Sequence, residues 1–149
     1  MEVVFKLCLP HDEASVPVVR HLAGTTLARL GVTEDCISDV QLAVTEACTN
    51  VLKHADGARD DYEVQVKVSP EACEIQVTDL GVGIAQSVFE KPPAGAQDES
   101  GRGIQLMGAL VDQLQFVAGP GTGLSVNLLK RLTLDEHAVM RRLANPAGA

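Results

Sequence analysis

Residues 40–54 read Val40-Gln41-Leu42-Ala43-Val44-Thr45-Glu46-Ala47-Cys48-Thr49-Asn50-Val51-Leu52-Lys53-His54. As a helix, this stretch puts Leu42, Ala43, Ala47 and Val51 at core spacing, while Glu46, Asn50 and His54 recur every four residues along one ridge. A carboxylate, a carboxamide and an imidazole thus share one side of a helix that is otherwise apolar enough to be buried. Two glycine-punctuated turns follow: Asp79-Leu80-Gly81-Val82-Gly83 after a strand, and Gly101-Arg102-Gly103 at the opening of a helix. The order of these elements points to a nucleotide site.

Working outward, a chain of 149 residues suits one domain, which at this length buries about 70% of its unfolded surface. The formal charge of -8 and pI near 4.8 argue against a nucleic-acid partner, which needs clustered Lys and Arg. With 3% aromatic residues, base-stacking platforms have little material. No apolar run approaches the roughly 20 residues of a membrane span. The start, Met1-Glu2-Val3-Val4, lacks the pattern of a secretory leader, so the expected setting is cytoplasmic. Cys8, Cys36, Cys48 and Cys73 show no metal-binding spacing and are expected to be reduced core thiols.

The periodicity gives an opening strand over Val3, Phe5, Leu7 and Leu9, closed by Pro10. Ser15 is the expected cap of a first helix whose stripe is Val19, Leu22, Ala23, Thr26, Leu27 and Leu30, ended by Gly31. The second helix begins after Thr33 and runs to about His54. Tyr62, Val64, Val66 and Val68 then alternate with polar residues, and Ser69-Pro70-Glu71-Ala72 forms a hairpin turn. The partner strand carries Cys73, Ile75 and Val77 inward, and the same phase lands on Asp79. Residues 84–100, rich in Pro, Ala and Gly with acidic Asp98 and Glu99, read as a lid. A helix from Ile104 to about Val111, strands over Leu114–Val117 and Leu124–Leu129, and a short amphipathic helix within Leu134–Leu143 complete the pattern.

Strand parity aims Asp79 at the covered face, where a carboxylate needs a donor. Backbone amides of a tight turn or the exocyclic amine of an adenine both qualify, and Gly81 and Gly83 leave room for a base. Glycines at a loop-to-helix junction are common without a ligand, but the amides and dipole near Gly101, Arg102, Gly103 and Ile104 also suit a triphosphate. There is no G-x-x-x-x-G-K-[ST], which excludes a P-loop. The polar ridge reads either as a solvated helix face or as a catalytic one. In the latter reading Asn50 offers an oxygen to Mg²⁺ and Glu46 a base near the terminal phosphate. His54 reads most simply as a helix-terminal cation.

Taken in order, Glu46-Ala47-Cys48-Thr49-Asn50 with His54, then Asp79-Leu80-Gly81-Val82-Gly83, then Gly101-Arg102-Gly103-Ile104-Gln105-Leu106-Met107, the chain resembles the GHKL ATPase superfamily of gyrase, histidine kinases and MutL. The stand-alone domain and its G-R-G-I-x-L-M run look most like the anti-sigma-factor serine/threonine kinases. The resemblance implies an α/β two-layer sandwich of Bergerat type, with a mixed, largely antiparallel sheet covered on one face by helices. It places one ATP-binding kinase domain over 1–132, with its lid at about 84–100, and a helical tail over 133–149. By likeness Asp79, Gly81 and Gly83 meet adenine, Asn50 holds Mg²⁺ and Glu46 is the base. His54, Gly101, Arg102, Gly103, Ile104 and Ser125 join the ATP site.

The function so implied is sequestration of a sigma factor and phosphorylation of an anti-sigma-factor antagonist of STAS type by a homodimer, without nucleic acid or membrane. Two departures stand out: the lid has Lys91 as its only cation, and Gly123-Leu124-Ser125 replaces a common Gly-Thr-Thr run. A nucleotide-holding binding module without phosphotransfer and an orphan ATPase are the alternative readings.

Overall fold

Alternating β-branched and polar residues build the sheet. In the computed structural model, which describes residues 1–54, 61–79, 99–119 and 123–145, the strands are β1 (Val3–Leu9), β2 (Tyr62–Val68), β3 (Ala72–Asp79), β4 (Gln113–Gly119) and β5 (Gly123–Arg131). They form one sheet in the order β1-β2-β3-β5-β4, and every pairing among the described residues is antiparallel. Val64, Val66, Val68, Cys73, Ile75, Val77, Leu124, Val126 and Leu128 all point inward and are buried. Each such valine contributes roughly 1.5–3 kcal/mol by leaving water. On the opposite face Lys6, Gln65, Gln76, Asn127 and Gln115 stand in one cross-strand row, a polar surface that needs no covering layer.

The helices are α1 (Ser15–Leu30), α2 (Glu34–His54), α3 (Glu99–Leu110) and α4 (Val139–Ala144). α2 is central: it packs against α1 on one flank, α3 on the other, and lies over β3 and β5. Its buried face is Val40, Ala43, Val44, Ala47, Cys48 and Val51. Leu42, expected in the core, is 49% exposed, because two residues beyond Val40 is about 200° around the helix, on the far side. Leu22 of α1 is exposed as well, since the stripe actually used is Val16, Val19, Ala23, Leu27 and Leu30. Lys130 ties the layer together, its ammonium donating to Asp39 of α2 at 3.1 Å and to the last carbonyl of α3, Leu110, at 3.0 Å.

Several local expectations change. Ser15 is not the cap of α1: that position is Ala14, whose N–H is taken by Asp12 Oδ1 at 2.8 Å, and Ser15 is the first helical residue with a buried hydroxyl. α3 begins at Glu99 rather than Ile104, so Gly101 and Arg102 lie in its first turn and Gly103 in its second. Among the described residues the tail is helical only over Val139–Ala144, because Leu134 bridges to Val32 instead of starting a helix. Met140 is fully buried and fastens this tail to the core. The glycine turn 81–83 and lid residues 84–98 lie outside the described residues. No described helix is long and apolar enough to cross a membrane.

Cys8 corrects the expectation of four core thiols, being exposed on β1, while Cys36, Cys48 and Cys73 are buried. Burial pushes the Cys48 and Cys73 thiols up to about 12. At Cys36 burial is also the largest influence and raises the pKa, but hydrogen bonds from Thr33 and Thr133 and the Lys130 charge together outweigh it, so the thiol lies below its ordinary value. Since reaction needs both access and the thiolate form, a disulfide reagent at neutral pH is expected to modify exposed Cys8 first, then buried Cys36, and Cys48 and Cys73 only on unfolding. Peptide mapping of quenched time points checks that order.

Gly31 ends α1 in the left-handed region at φ 89°, with its N–H bonded to Ala28 O at 3.1 Å. A Cβ there would stand 2.4 Å from Ala138 Cβ and 2.6 Å from Ala138 Cα, a methyl and its backbone carbon that cannot swing aside. Gly31→Ala is therefore expected to cost about 2 kcal/mol or more through backbone strain and overpacking. Urea denaturation measures it, and an unchanged midpoint would contradict the tight seat of the tail on Gly31.

Candidate active site

The site grows from the ends of β3 and α2. Asp79, the last residue of β3, faces inward opposite Tyr62 of β2 and is 1% exposed. A carboxylate so placed requires donors, and His11, two residues after the end of β1, supplies one from Nε2 at 3.2 Å to Oδ1. The imidazole meets the Tyr62 ring edge to face at 5.7 Å. Tyr62 is itself buried, and its hydroxyl and that of Ser15 lie 2.5 Å apart. Ser15 spends its single proton on the Asp12 carbonyl at 2.6 Å, so Tyr62 is the donor between them. Burial first of all, then the nearby Cys48, raises the Tyr62 pKa to about 12 against the lowering effect of Ser15, keeping the phenol protonated.

On α2, Asn50 is buried at 6% exposure, and its Nδ2 has no partner among the described residues. A buried amide end without a partner is rare and marks a place for a ligand or ordered solvent. One turn earlier, Glu46 reaches α3. Its Oε2 lies 2.7 Å from where a Cβ on residue 103 would stand, so glycine at 103 is what admits the carboxylate between the two helices. Ile104 is partly buried against the core, and Met107 is fully buried beneath α3.

The structure thus brings Glu46 and Gly103 together at the α2–α3 contact and puts buried Asn50 on the same ridge of α2. Gly101 and Arg102 are placed by the backbone of α3, and His54 is the last residue of α2. Gly81 and Gly83 lie outside the described residues. Ser125 is not part of the group. Paired with Thr78, it sits on the opposite face of the sheet from Asp79, bonded to Thr78 Oγ1 and Gln76 Nε2 at 3.1 Å each. The two-residue period of β5 explains the correction, since Leu124 and Val126 take the inward phase. His11 and Tyr62 were missed as site neighbours. For Tyr62 a signal existed, because a tyrosine on the inward phase of a strand must find a polar partner; for His11 nothing local announced it.

These groups offer an acceptor at Asp79, a carboxamide at Asn50 and a carboxylate at Glu46, beside a glycine-bearing helix start. Comparison with known proteins agrees with that chemistry. The family model described as the histidine kinase-like ATPase domain matches residues 9–130. The serine-protein kinase RsbW of Halalkalibacterium halodurans is 32% identical over 139 residues, covering 88% of this chain and 85% of the relative. The anti-sigma F factor of Pasteuria penetrans is 28% identical over 147 residues, covering 94% and 95%. Among solved structures, the RsbU and RsbW domains of Rv1364c from Mycobacterium tuberculosis superpose with a TM-score of 0.68 at 20% identity, covering 89% of this chain and 32% of that longer one, a likeness of fold. The chain belongs to the GHKL family of histidine kinase-like ATPase domains, in the branch of the RsbW-type serine-protein kinases and anti-sigma F factors.

Proposed function

We propose that this protein is an anti-sigma factor with ATP-dependent serine/threonine kinase activity: it sequesters a sigma factor and is relieved by an antagonist, of STAS type, that it phosphorylates. The reading is supported above all by the Glu46 carboxylate, held against Gly103 at the α2–α3 contact on the same helix ridge as buried Asn50. A carboxylate kept at a helix junction beside a glycine-bearing helix start suits acceptance of a proton next to a phosphate. The names of the relatives, a serine-protein kinase and an anti-sigma F factor, agree with it. We place the protein in the cytoplasm, where sigma factors act, and infer that it works as a homodimer.

In this reading Asp79 accepts from the exocyclic amine of adenine, assisted by Gly81 and Gly83. The free N–H groups of the first turn of α3, which end at Gly101, face the phosphates, helped by the positive end of the helix, while the N–H groups of Arg102, Gly103 and Ile104 join them only where that turn unwinds. His54 closes α2 at the rim of the site. The antagonist's serine or threonine hydroxyl attacks the γ-phosphorus, the bond to the β,γ-bridging oxygen breaks, ADP leaves, and Glu46 takes the hydroxyl proton.

The residues present fit Mg²⁺. Rotating the Asn50 amide by half a turn presents its oxygen where the unpartnered amide nitrogen now points. Among the described residues no acidic or His/Cys cluster competes to hold a metal. Mg²⁺ bound there would neutralise phosphate charge while keeping several waters and leaning on the triphosphate.

Transfer of labelled phosphate from ATP to a serine of the antagonist tests the function; label released only as free phosphate would favour an orphan ATPase. Asp79→Asn is expected to weaken ATP binding about 10-fold or more, the scale of a hydrogen bond to a charged acceptor. Calorimetric titration measures it, and equal affinity would remove Asp79 from the base site. Glu46→Gln should leave ATP affinity within about 3-fold and slow transfer roughly 10²–10⁴-fold. Gly103→Ala should unfold close to the wild-type temperature, because the displaced atom is the end of a flexible side chain. It should nonetheless lose a large share of the Glu46-dependent rate. Full activity in Gly103→Ala would show that the seat of Glu46 against α3 is immaterial to catalysis.

A further inference from the structure

His11 lies in no recognised motif, yet it touches the carboxylate assigned above to the base. Its Nε2 stands 3.2 Å from Asp79 Oδ1, with side-chain exposures of 4% for His11 and 1% for Asp79. The ring is held from a second direction, edge to face on Tyr62 with 84° between the planes. The neighbours of Asp79 across the sheet do not duplicate this donor. Tyr62 gives its O–H to Ser15, as its geometry with Ser15 and Asp12 requires. On the other side, pairing of Thr78 with Ser125 puts Leu124 beside Asp79, and a leucine side chain has no hydrogen-bonding atom.

We propose that His11 is a positioning residue that makes the site discriminate 6-aminopurine from 6-oxopurine nucleotides, by donating to Asp79 and fixing the one orientation in which its carboxylate faces the base. The proposal rests on the adenine-reading role of Asp79. Its physical basis is directional: a carboxylate accepts only, and a donor seated on one oxygen fixes where the other points. An acceptor matches the exocyclic amine of adenine and opposes the carbonyl oxygen that inosine and guanine carry at the same position. A carboxylate free to turn would meet the amine less well and oppose that oxygen less. His11 therefore acts on selectivity as much as on affinity, and its effect passes through Asp79 rather than through direct contact with the nucleotide.

The test compares Mg-ATP and Mg-ITP dissociation constants in wild type, His11→Phe, His11→Leu, His11→Gln and Asp79→Asn, with thermal unfolding of each. His11→Phe keeps a ring against Tyr62 and removes the donor, and His11→Leu serves if that ring fits poorly. The expected result is a fall of about 10-fold in the ATP/ITP preference for the Phe or Leu variant, mainly through weaker ATP binding. His11→Gln, which restores an N–H of similar reach, should recover most of the preference even though its unfolding temperature falls as well. Recovery of selectivity without recovery of stability separates positioning from packing. An unchanged ATP/ITP ratio in the donor-free variants, while Asp79→Asn collapses it, would overturn the role of His11 and leave the base-reading carboxylate standing. An unchanged ratio in Asp79→Asn would overturn the adenine reading itself and this proposal with it.

Discussion

A helix that must lie on a sheet has only its flanks left for chemistry, and the placement of α2 over β3 and β5 imposes that constraint on this whole protein. The downward face is taken by Val40, Ala43, Val44, Ala47, Cys48 and Val51, several of them small, which lets the helix sit close to the strands. With 3.6 residues per turn, Glu46 and Asn50 then emerge sideways, toward α3 and away from α1. The polar ridge is thus buried at Asn50 and half-buried at Glu46 without entering the core. That is why a carboxylate and a carboxamide can persist on a helix whose downward face excludes water.

The parts legible in the sequence were those governed by a short period. Strand parity put Asp79 on the covered face because Cys73, Ile75 and Val77 are fixed there by burial, and the period of four aligned Glu46 with Asn50. The parts that escaped depended on partners remote in sequence. His11 is 68 residues from Asp79, and no local pattern links the end of one strand to the end of another two places away in the sheet. Ser125 was placed in the site because it ends a Gly-Leu-Ser run, but one step of strand parity turns it to the outer face, where it bonds Thr78 and Gln76. Leu42 looked like core because it is leucine. The angular position of a residue on its helix, not its hydropathy, decides burial.

The two ends of α3 are held very differently, and this bears on how the site can respond to a nucleotide. Its C-terminal half is fastened by fully buried Met107 and by Lys130, whose ammonium bridges the Leu110 carbonyl and Asp39 of α2. Its first two turns hold Gly101 and Gly103, residues that each cost a helix about 1 kcal/mol relative to alanine. The helix is therefore firm where it meets the core and weakly committed where it meets Glu46. On the proposed reading, a triphosphate engaging the amides of that first turn would rearrange it without disturbing Met107 or the Lys130 bridge. Because Glu46 rests in the space left by the missing side chain of Gly103, any such rearrangement also re-aims the carboxylate. On the proposed reading, phosphate binding and base positioning would be coupled through one glycine, and the core need not move to transmit the change.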